Sequence, residues 1–219
     1  QVIKYSSNIG AAKIGTSMGN QILYNALTDY GFGRKTGIRC PGETPGRLRH
    51  PGKWSEIDRA SIAFGQGIAV SAIQLISGIS AIANDGVLMK PLLVKRIISD
   101  DGTVQAAFHP QRAARVISSR TARQTQDIMQ AVISEEGTGS NAIMNGYSVC
   151  GKTGTAQKVA EDGNGYSKSR YTSVFAGFSP ADDPELAVLV VVDEPRKNHY
   201  GRRLAPPAFK NIMAQSLQY

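Results

Sequence analysis

Residues 147–158 read Tyr-Ser-Val-Cys-Gly-Lys-Thr-Gly-Thr-Ala-Gln-Lys and place a lysine, two threonine hydroxyls and two glycines on one apolar stretch. An ammonium group beside hydroxyls at this spacing can bind a carboxylate. Gly151 and Gly154 leave no Cβ between a ligand and the backbone, so main-chain N–H groups can reach an oxyanion as it forms. Read this way, Lys152, Thr153, Gly154 and Thr155 hold an acyl substrate. Near the start of the chain, Ser6-Ser7-Asn8 adds a hydroxyl, able to relay a proton, and an amide, able to bridge a carbonyl and a cation.

Lys-Thr-Gly and Ser-x-Asn are two of three short motifs that recur in serine enzymes reacting with β-lactams; the third, Ser-x-x-Lys, carries the nucleophile. No serine in this chain has a lysine three residues on. The nucleophile motif is therefore absent from the chain.

Gly146 to Thr153 also satisfies the phosphate-loop pattern GxxxxGK[ST], and the apolar run 186–192 ends in Asp193-Glu194, as a magnesium-holding strand would. A phosphate loop must follow a strand and open a helix. Here no apolar strand precedes Gly146, and residues 154–159 run directly into the glycine-rich 162–165 without room for a helix. The lysine is expected within a strand, and nucleotide binding is the weaker reading.

Composition limits the remaining choices. With 41% hydrophobic residues in 219, the chain can bury one good core. The formal charge of +8 favours anionic surroundings, but no Lys/Arg run interleaved with aromatics points to nucleic acid. The longest apolar run falls far short of a membrane span, and the first residues do not resemble a signal peptide. Cys40 and Cys150 fit a disulfide or two free thiols equally, and they supply neither a zinc site nor a CxxC centre. His50, His109 and His199 are dispersed, which disfavours a Ser-His-Asp hydrolase. No metal and no cofactor is expected.

These groups need elements to position them. Apolar residues recur at helical spacing from Ile9 through Leu27, so Ser6-Ser7-Asn8 sits at a helix start, where a serine can also act as N-cap. Lys13 is expected to pack along that helix. Residues 35–56, rich in Pro, Gly and Arg, read as a long loop, and 68–83 as a buried helix ending at Asn84-Asp85-Gly86. Asp100-Asp101-Gly102 marks a hairpin between 92–98 and 103–108. A helix capped by Ser119 runs to about residue 133. Strands at 147–159, 171–178 and 185–193 follow, joined by short links that imply antiparallel pairing. Pro206 and Pro207 open a final helix. Because 186–192 is apolar on both faces, helices must cover both sides of the sheet. The class is α+β, with a mostly helical region over about 6–90 and a sheet-forming region over about 91–219.

With these residues in place, the chain resembles the transpeptidase domain of class B penicillin-binding proteins. The likeness extends through Ser6-Ser-Asn-Ile-Gly-Ala-Ala-Lys13, Phe64-Gly-Gln-Gly-Ile-Ala69, Ala81-Ile-Ala-Asn-Asp-Gly86, Gly151-Lys-Thr-Gly-Thr-Ala156, Phe175-Ala-Gly-Phe-Ser-Pro180 and Val191-Val-Asp-Glu-Pro195, in family order. It implies the penicillin-binding and serine β-lactamase fold, a central antiparallel sheet flanked by helices, with the N-terminal part of the fold outside this chain.

The resemblance further implies a D,D-transpeptidase that cross-links peptidoglycan stem peptides through a serine acyl-enzyme and is trapped by β-lactams. Ser6, Asn8 and Lys152 would serve catalysis, while Lys152, Thr153, Gly154 and Thr155 would bind the substrate carboxylate, with the Thr155 N–H as one oxyanion donor. Without its serine, this chain alone is expected to be inactive. The implied setting is the extracytoplasmic face of a bacterial inner membrane, reached through an N-terminal anchor outside the chain. A glycosyltransferase and other envelope proteins are the implied partners. A penicillin-sensing or scaffold module on the same fold is the alternative. One departure is Tyr200-Gly201-Arg202-Arg203, where the family has a glycine pair after an aromatic.

Overall fold

The structure, a computed structural model, describes residues 1–161, 163, 165–195 and 201–219, the side chains of 201–203 excepted. In chain order the elements are α1 (Asn8–Met18), α2 (Asn20–Asp29), a 3-10 turn (Pro51–Lys53), α3 (Glu56–Ala63), α4 (Ala72–Ala83), β1 (Val87–Met89), β2 (Arg96–Ile98), β3 (Val104–Ala107) and β4 (Arg112–Arg115). There follow α5 (Ser119–Ala131), a 3-10 turn (Ser140–Ala142), β5 (Cys150–Val159), β6 (Tyr166–Ser179), β7 (Leu186–Asp193) and α6 (Gly201–Ser216).

The apolar period that suggested one early helix is divided in two, because Gly19 adopts φ +81° and turns the chain between α1 and α2. Period alone does not register a one-residue break, and Ile9, Ile14 and Ile22 of that pattern lie exposed while Leu23 is buried. Lys13 is exposed on α1 rather than packed along it. At Gly15 the helices α1 and α3 approach so closely that a Cβ would collide with Ala63. Helix α3 was not expected, although Ser55 and Asp58 form a reciprocal capping box at its start. Its core with α2 is Leu23, Trp54 and Ile62.

Helix α4 begins at Ala72, later than the apolar run suggested, because Ala69 is paired with Arg47 in an isolated bridge and Ser71 and Gln74 form a second capping box. Gln74 is 1% exposed. Its side-chain amide donates to the carbonyls of Arg34 (2.8 Å) and Pro45 (3.0 Å), and more weakly to that of Gly31 (3.4 Å). One buried side chain thus anchors the long loop that the sequence left irregular.

The hairpin at Asp100-Asp101-Gly102 forms as expected: β2 pairs antiparallel with β3, and Gly102 takes φ +85°. Strands β1 and β4, short and unsignalled, form a second two-stranded sheet. Ser118, not Ser119, caps α5 by accepting from the Thr121 N–H.

The main sheet among the described residues is β5-β6-β7, antiparallel throughout, with Lys152 opposite Ala176 and Thr155 opposite Ser173. Strand β6 starts at Tyr166, five residues earlier than expected, so the hairpin is longer and its loop shorter. Residues 162 and 164 of that loop lie outside the described residues.

Alternation along β6 points Phe175 to one face and Phe178 to the other. Phe175 packs edge-on against Phe209 of α6 at 4.7 Å between centroids, with Val188 and Val190 beside it. Phe178 and Cys150 meet Met129 of α5, with Ile79 and Ile82 of α4 packed alongside. Helices therefore cover both faces. Helix α6 starts before Pro206 and Pro207, which lie inside it, rather than at them. Of the departure at Tyr200 to Arg203, Tyr200 lies outside the described residues, and the backbone of Gly201, Arg202 and Arg203 forms the first turn of α6. Cys40 and Cys150 are both free thiols, and the described residues contain no helix long and apolar enough to cross a membrane.

Candidate active site

Strand β5 forms one margin of the main sheet, and Lys152 lies on it two residues past the buried Cys150. A Cβ at Gly151 would sit 2.5 Å from the Phe175 ring, so glycine lets β5 lie directly on the core just before Lys152. Burial pulls the Lys152 ammonium down to about 8 from the usual lysine value.

Three acceptors meet the three N–H bonds of that ammonium: Ser6 Oγ at 2.8 Å, the Thr153 carbonyl at 2.7 Å and Thr153 Oγ1 at 3.4 Å. The first partner lies 146 residues away in sequence. Ser6 adopts φ +53°, a left-handed conformation uncommon for a residue with a side chain. The turn before it holds that geometry, with Tyr5 N–H donating to the Gln1 carbonyl, Ser6 N–H to Ile3 and Ser7 N–H to Val2. Ser7, and not Ser6, is the N-cap of α1, accepting from the Gly10 N–H at 3.1 Å. Capping thus falls to Ser7, and the Ser6 hydroxyl is left to accept from Lys152. Asn8 is the first residue of α1 and is exposed; among the described residues its amide has no hydrogen-bond partner.

Ser6, Asn8, Lys152, Thr153, Gly154 and Thr155 all line one open cleft of about 690 Å³. The structure brings together every site residue named from the sequence. It adds others that the sequence reading missed. Phe64, at the end of α3, and Thr138 complete the wall. Thr138 belongs to a tight loop after α5, where the Gly139 N–H donates to the Val132 carbonyl and a Cβ at Gly137 would strike that same carbonyl. Glu136 of this loop pairs with Lys4 at 3.0 Å and accepts from the Tyr5 hydroxyl at 3.4 Å. That loop therefore clasps the turn bearing Ser6. The Gly-Thr-Gly run at 137–139 was the available signal, since glycines on both sides of a polar residue mark a close backbone approach.

The phosphate-loop geometry does not form. Lys152 and Thr153 lie inside β5, which continues as strand to Val159. Asp193 and Glu194 both pair with Lys158, at 2.9 and 2.8 Å, and Asp193 also accepts from Thr172. No His/Cys/Asp/Glu cluster suited to a metal exists among the described residues. His50 accepts from the Gly52 N–H at the 3-10 turn, and His199 lies outside the described residues. A second concavity, of about 730 Å³, lies between residues 35–39 and the β2–β3 hairpin, but Leu92, Leu93 and Val94 dominate it and none of the named site residues line it.

One contact ties the outer end of the main sheet to the rim of the cleft: the Gly67 N–H donates to the Tyr166 hydroxyl at 2.9 Å. The β5–β6 hairpin thereby reaches the segment that follows Phe64.

A family model for the penicillin binding protein transpeptidase domain matches residues 1–214. Stage V sporulation protein D of Bacillus subtilis is 40% identical over 220 residues, 99% of this chain and 33% of that protein. The probable peptidoglycan D,D-transpeptidase PenA of Neisseria gonorrhoeae is 34% identical over 99% of this chain and 35% of its own length. Penicillin binding protein 3 of Mycobacterium tuberculosis, solved with aztreonam, superposes with a TM-score of 0.91 at 32% identity, covering 99% of this chain and 50% of that one. The apo transpeptidase domain of penicillin-binding protein 3 from Burkholderia pseudomallei gives 0.86 at 37% identity, covering 99% and 62%. The chain spans about a third of the length of these curated relatives.

Proposed function

The chain belongs to the penicillin-binding protein transpeptidase family, and from that premise we propose that the full-length protein is a peptidoglycan D,D-transpeptidase acylated by β-lactams. The single observation that carries the reading is the Lys152 Nζ to Ser6 Oγ contact of 2.8 Å in a cleft shared with Asn8, Thr153 and Thr155. A cation, a relay hydroxyl, a free amide and threonine hydroxyls then face one ligand volume. Relatives named as D,D-transpeptidases support it.

In this reading the attacking serine comes from polypeptide outside these residues, since no serine here has a lysine at the third position on. Its oxygen bonds to the carbonyl carbon of the penultimate D-alanine, and the C–N bond to the terminal D-alanine breaks. The departing amine must gain a proton, which the Lys152–Ser6 pair is placed to relay. An amine of a second stem peptide then attacks the ester and expels the serine oxygen, which recovers its proton. A β-lactam follows the first half only, as its ring C–N bond opens without a fragment leaving. Splitting one amide exchange into two acyl transfers is the benefit of the covalent route.

Lys152 supplies positive charge for the substrate's terminal carboxylate, and the Thr153 and Thr155 hydroxyls donate to the same group. Gly154 admits the ligand close to β5, and the Thr155 N–H gives one oxyanion donor, the other coming from the serine's own backbone. Asn8 bridges the substrate carbonyl and the lysine of the nucleophile motif. The 219 residues form part of one transpeptidase domain and are inactive alone. Stem peptides and β-lactams are its ligands; a glycosyltransferase and other envelope proteins are partners of the full-length protein, which works at the extracytoplasmic face of the inner membrane, held by an N-terminal anchor.

The test is covalent capture. The full-length protein should take up a fluorescent penicillin as a band stable to denaturation, and release D-alanine from a stem peptide ending in D-Ala-D-Ala. A protein that does neither is no transpeptidase.

A further inference from the structure

The hydroxyl of Thr138 stands between two elements that the proposed chemistry needs together. Thr153 Oγ1 lies 3.2 Å from Thr138 Oγ1, which in turn lies 3.3 Å from the Lys4 carbonyl, two residues before Ser6. Both contacts are at the long end for hydroxyl hydrogen bonds, so their significance lies in direction more than in strength.

The direction follows from counting protons. A carbonyl only accepts and an ammonium only donates, while each hydroxyl has one proton to give. Lys152 Nζ points an N–H at Thr153 Oγ1. Thr153 must then direct its own proton elsewhere, and Thr138 Oγ1 is the acceptor within reach. Thr138 completes the sequence by donating to the Lys4 carbonyl.

The chain can also reverse. The Lys4 carbonyl receives the Thr138 backbone N–H as well, at 3.3 Å. The Thr138 hydroxyl can therefore turn its proton toward Thr153 without leaving that carbonyl unpaired. Thr153's proton is then freed for an anion arriving in the cleft. The surrounding loop does not yield, because the backbone of 137–139 is pinned against the end of α5 at the Val132 carbonyl.

We propose that Thr138 is a positioning residue for Thr153, holding the Thr153 proton while the cleft is free and releasing it toward the substrate's carboxylate when that group binds. The inference rests on the proposed acyl-transfer function and concerns the same site.

The experiment measures the second-order rate of acylation of the full-length protein by a fluorescent penicillin. Thr138→Val preserves side-chain shape and removes the hydroxyl; the rate is expected to fall roughly tenfold, the worth of one hydrogen bond. Thr138→Ser restores the hydroxyl and should stay within about threefold of the parent. In a Thr153→Val background, Thr138→Val should change the rate by less than about twofold, because the group it positions is gone. A general loss of structure would slow both backgrounds alike. Loss of labelling in Thr138→Ser, or equal effects of Thr138→Val in both backgrounds, overturns the proposal. If the parent is labelled and Thr138→Val matches it, the positioning role alone fails. If the parent is not labelled, the proposed function fails and this inference with it.

Discussion

The Ser6 hydroxyl accepts from the Lys152 ammonium at 2.8 Å, joining the turn before α1 to the margin of the main sheet. Neither element holds that position alone. Lys4 and Glu136, paired at 3.0 Å, and Thr138, whose N–H reaches the Lys4 carbonyl, clamp the turn onto the loop after α5. The cleft is thus assembled from three segments distant in sequence.

Ser6→Ala removes the hydroxyl proposed as the proton relay and leaves the Ser7 cap of α1 in place. Penicillin acylation of the full-length protein should slow by about a hundredfold, the lower range for a positioned proton-transfer group, with the melting temperature unchanged within a few degrees. An unchanged acylation rate would show that Lys152 works without this partner.

The pH dependence of Lys152 has a definite sign. Burial lowers it to about 8 from 10.5. Below about 8 both the folded and unfolded chains hold the proton, and the burial penalty is in full force. Between about 8 and 10.5 the unfolded chain still binds a proton that the folded one has released, so stability rises with pH across that window. The melting temperature of the parent minus that of Lys152→Met should increase over the same range, and a flat difference would contradict the assignment. If Lys152 supplies the cation for the carboxylate, as proposed, acylation should in turn decline above about pH 8.

Gly151→Ala tests how tightly β5 lies on the core. The added Cβ meets the ring of Phe175, which is fully buried and packed edge-on against Phe209. A loss of about 1–3 kcal/mol in a denaturant titration is expected, the usual range for overpacking. Full stability would mean that Phe175 can turn aside.

The sheet and the Lys-Thr-Gly segment were legible in the sequence because their signals are local. Alternation and apolar runs mark β5, β6 and β7, and the glycines mark the place where backbone must come close. Helix α3 was missed although Ser55 and Asp58 spelled out its cap, because its eight residues are too few to establish a period against the proline-rich stretch before it. The break at Gly19 was hidden by apolar residues that keep the same spacing on either side. At Thr138 the flanking glycines mark a close backbone approach but not what its hydroxyl meets. Its significance comes from contacts with Lys4 and Thr153, 134 and 15 residues away, and sequence spacing carries no information on such a meeting.

Gln74→Met should detach the long loop without altering the cleft. The substitution leaves the carbonyls of Gly31, Arg34 and Pro45 without their shared donor, at a cost of about 3 kcal/mol. Chemical denaturation reads the loss, and amide exchange should rise in residues 31–47 while Lys152 and its neighbours stay protected. Equal exchange across both regions would show that the loop and the cleft unfold as one unit.

The central claim is that Lys152 and its partners form a site for an acyl donor bearing a carboxylate. It is tested most directly by time-resolved labelling of the full-length protein and its Lys152→Gln variant with a fluorescent penicillin at neutral pH. The parent should be labelled rapidly and the variant at a rate at least about a hundredfold lower, with both proteins folded. Labelling of Lys152→Gln at the parent's rate would contradict it.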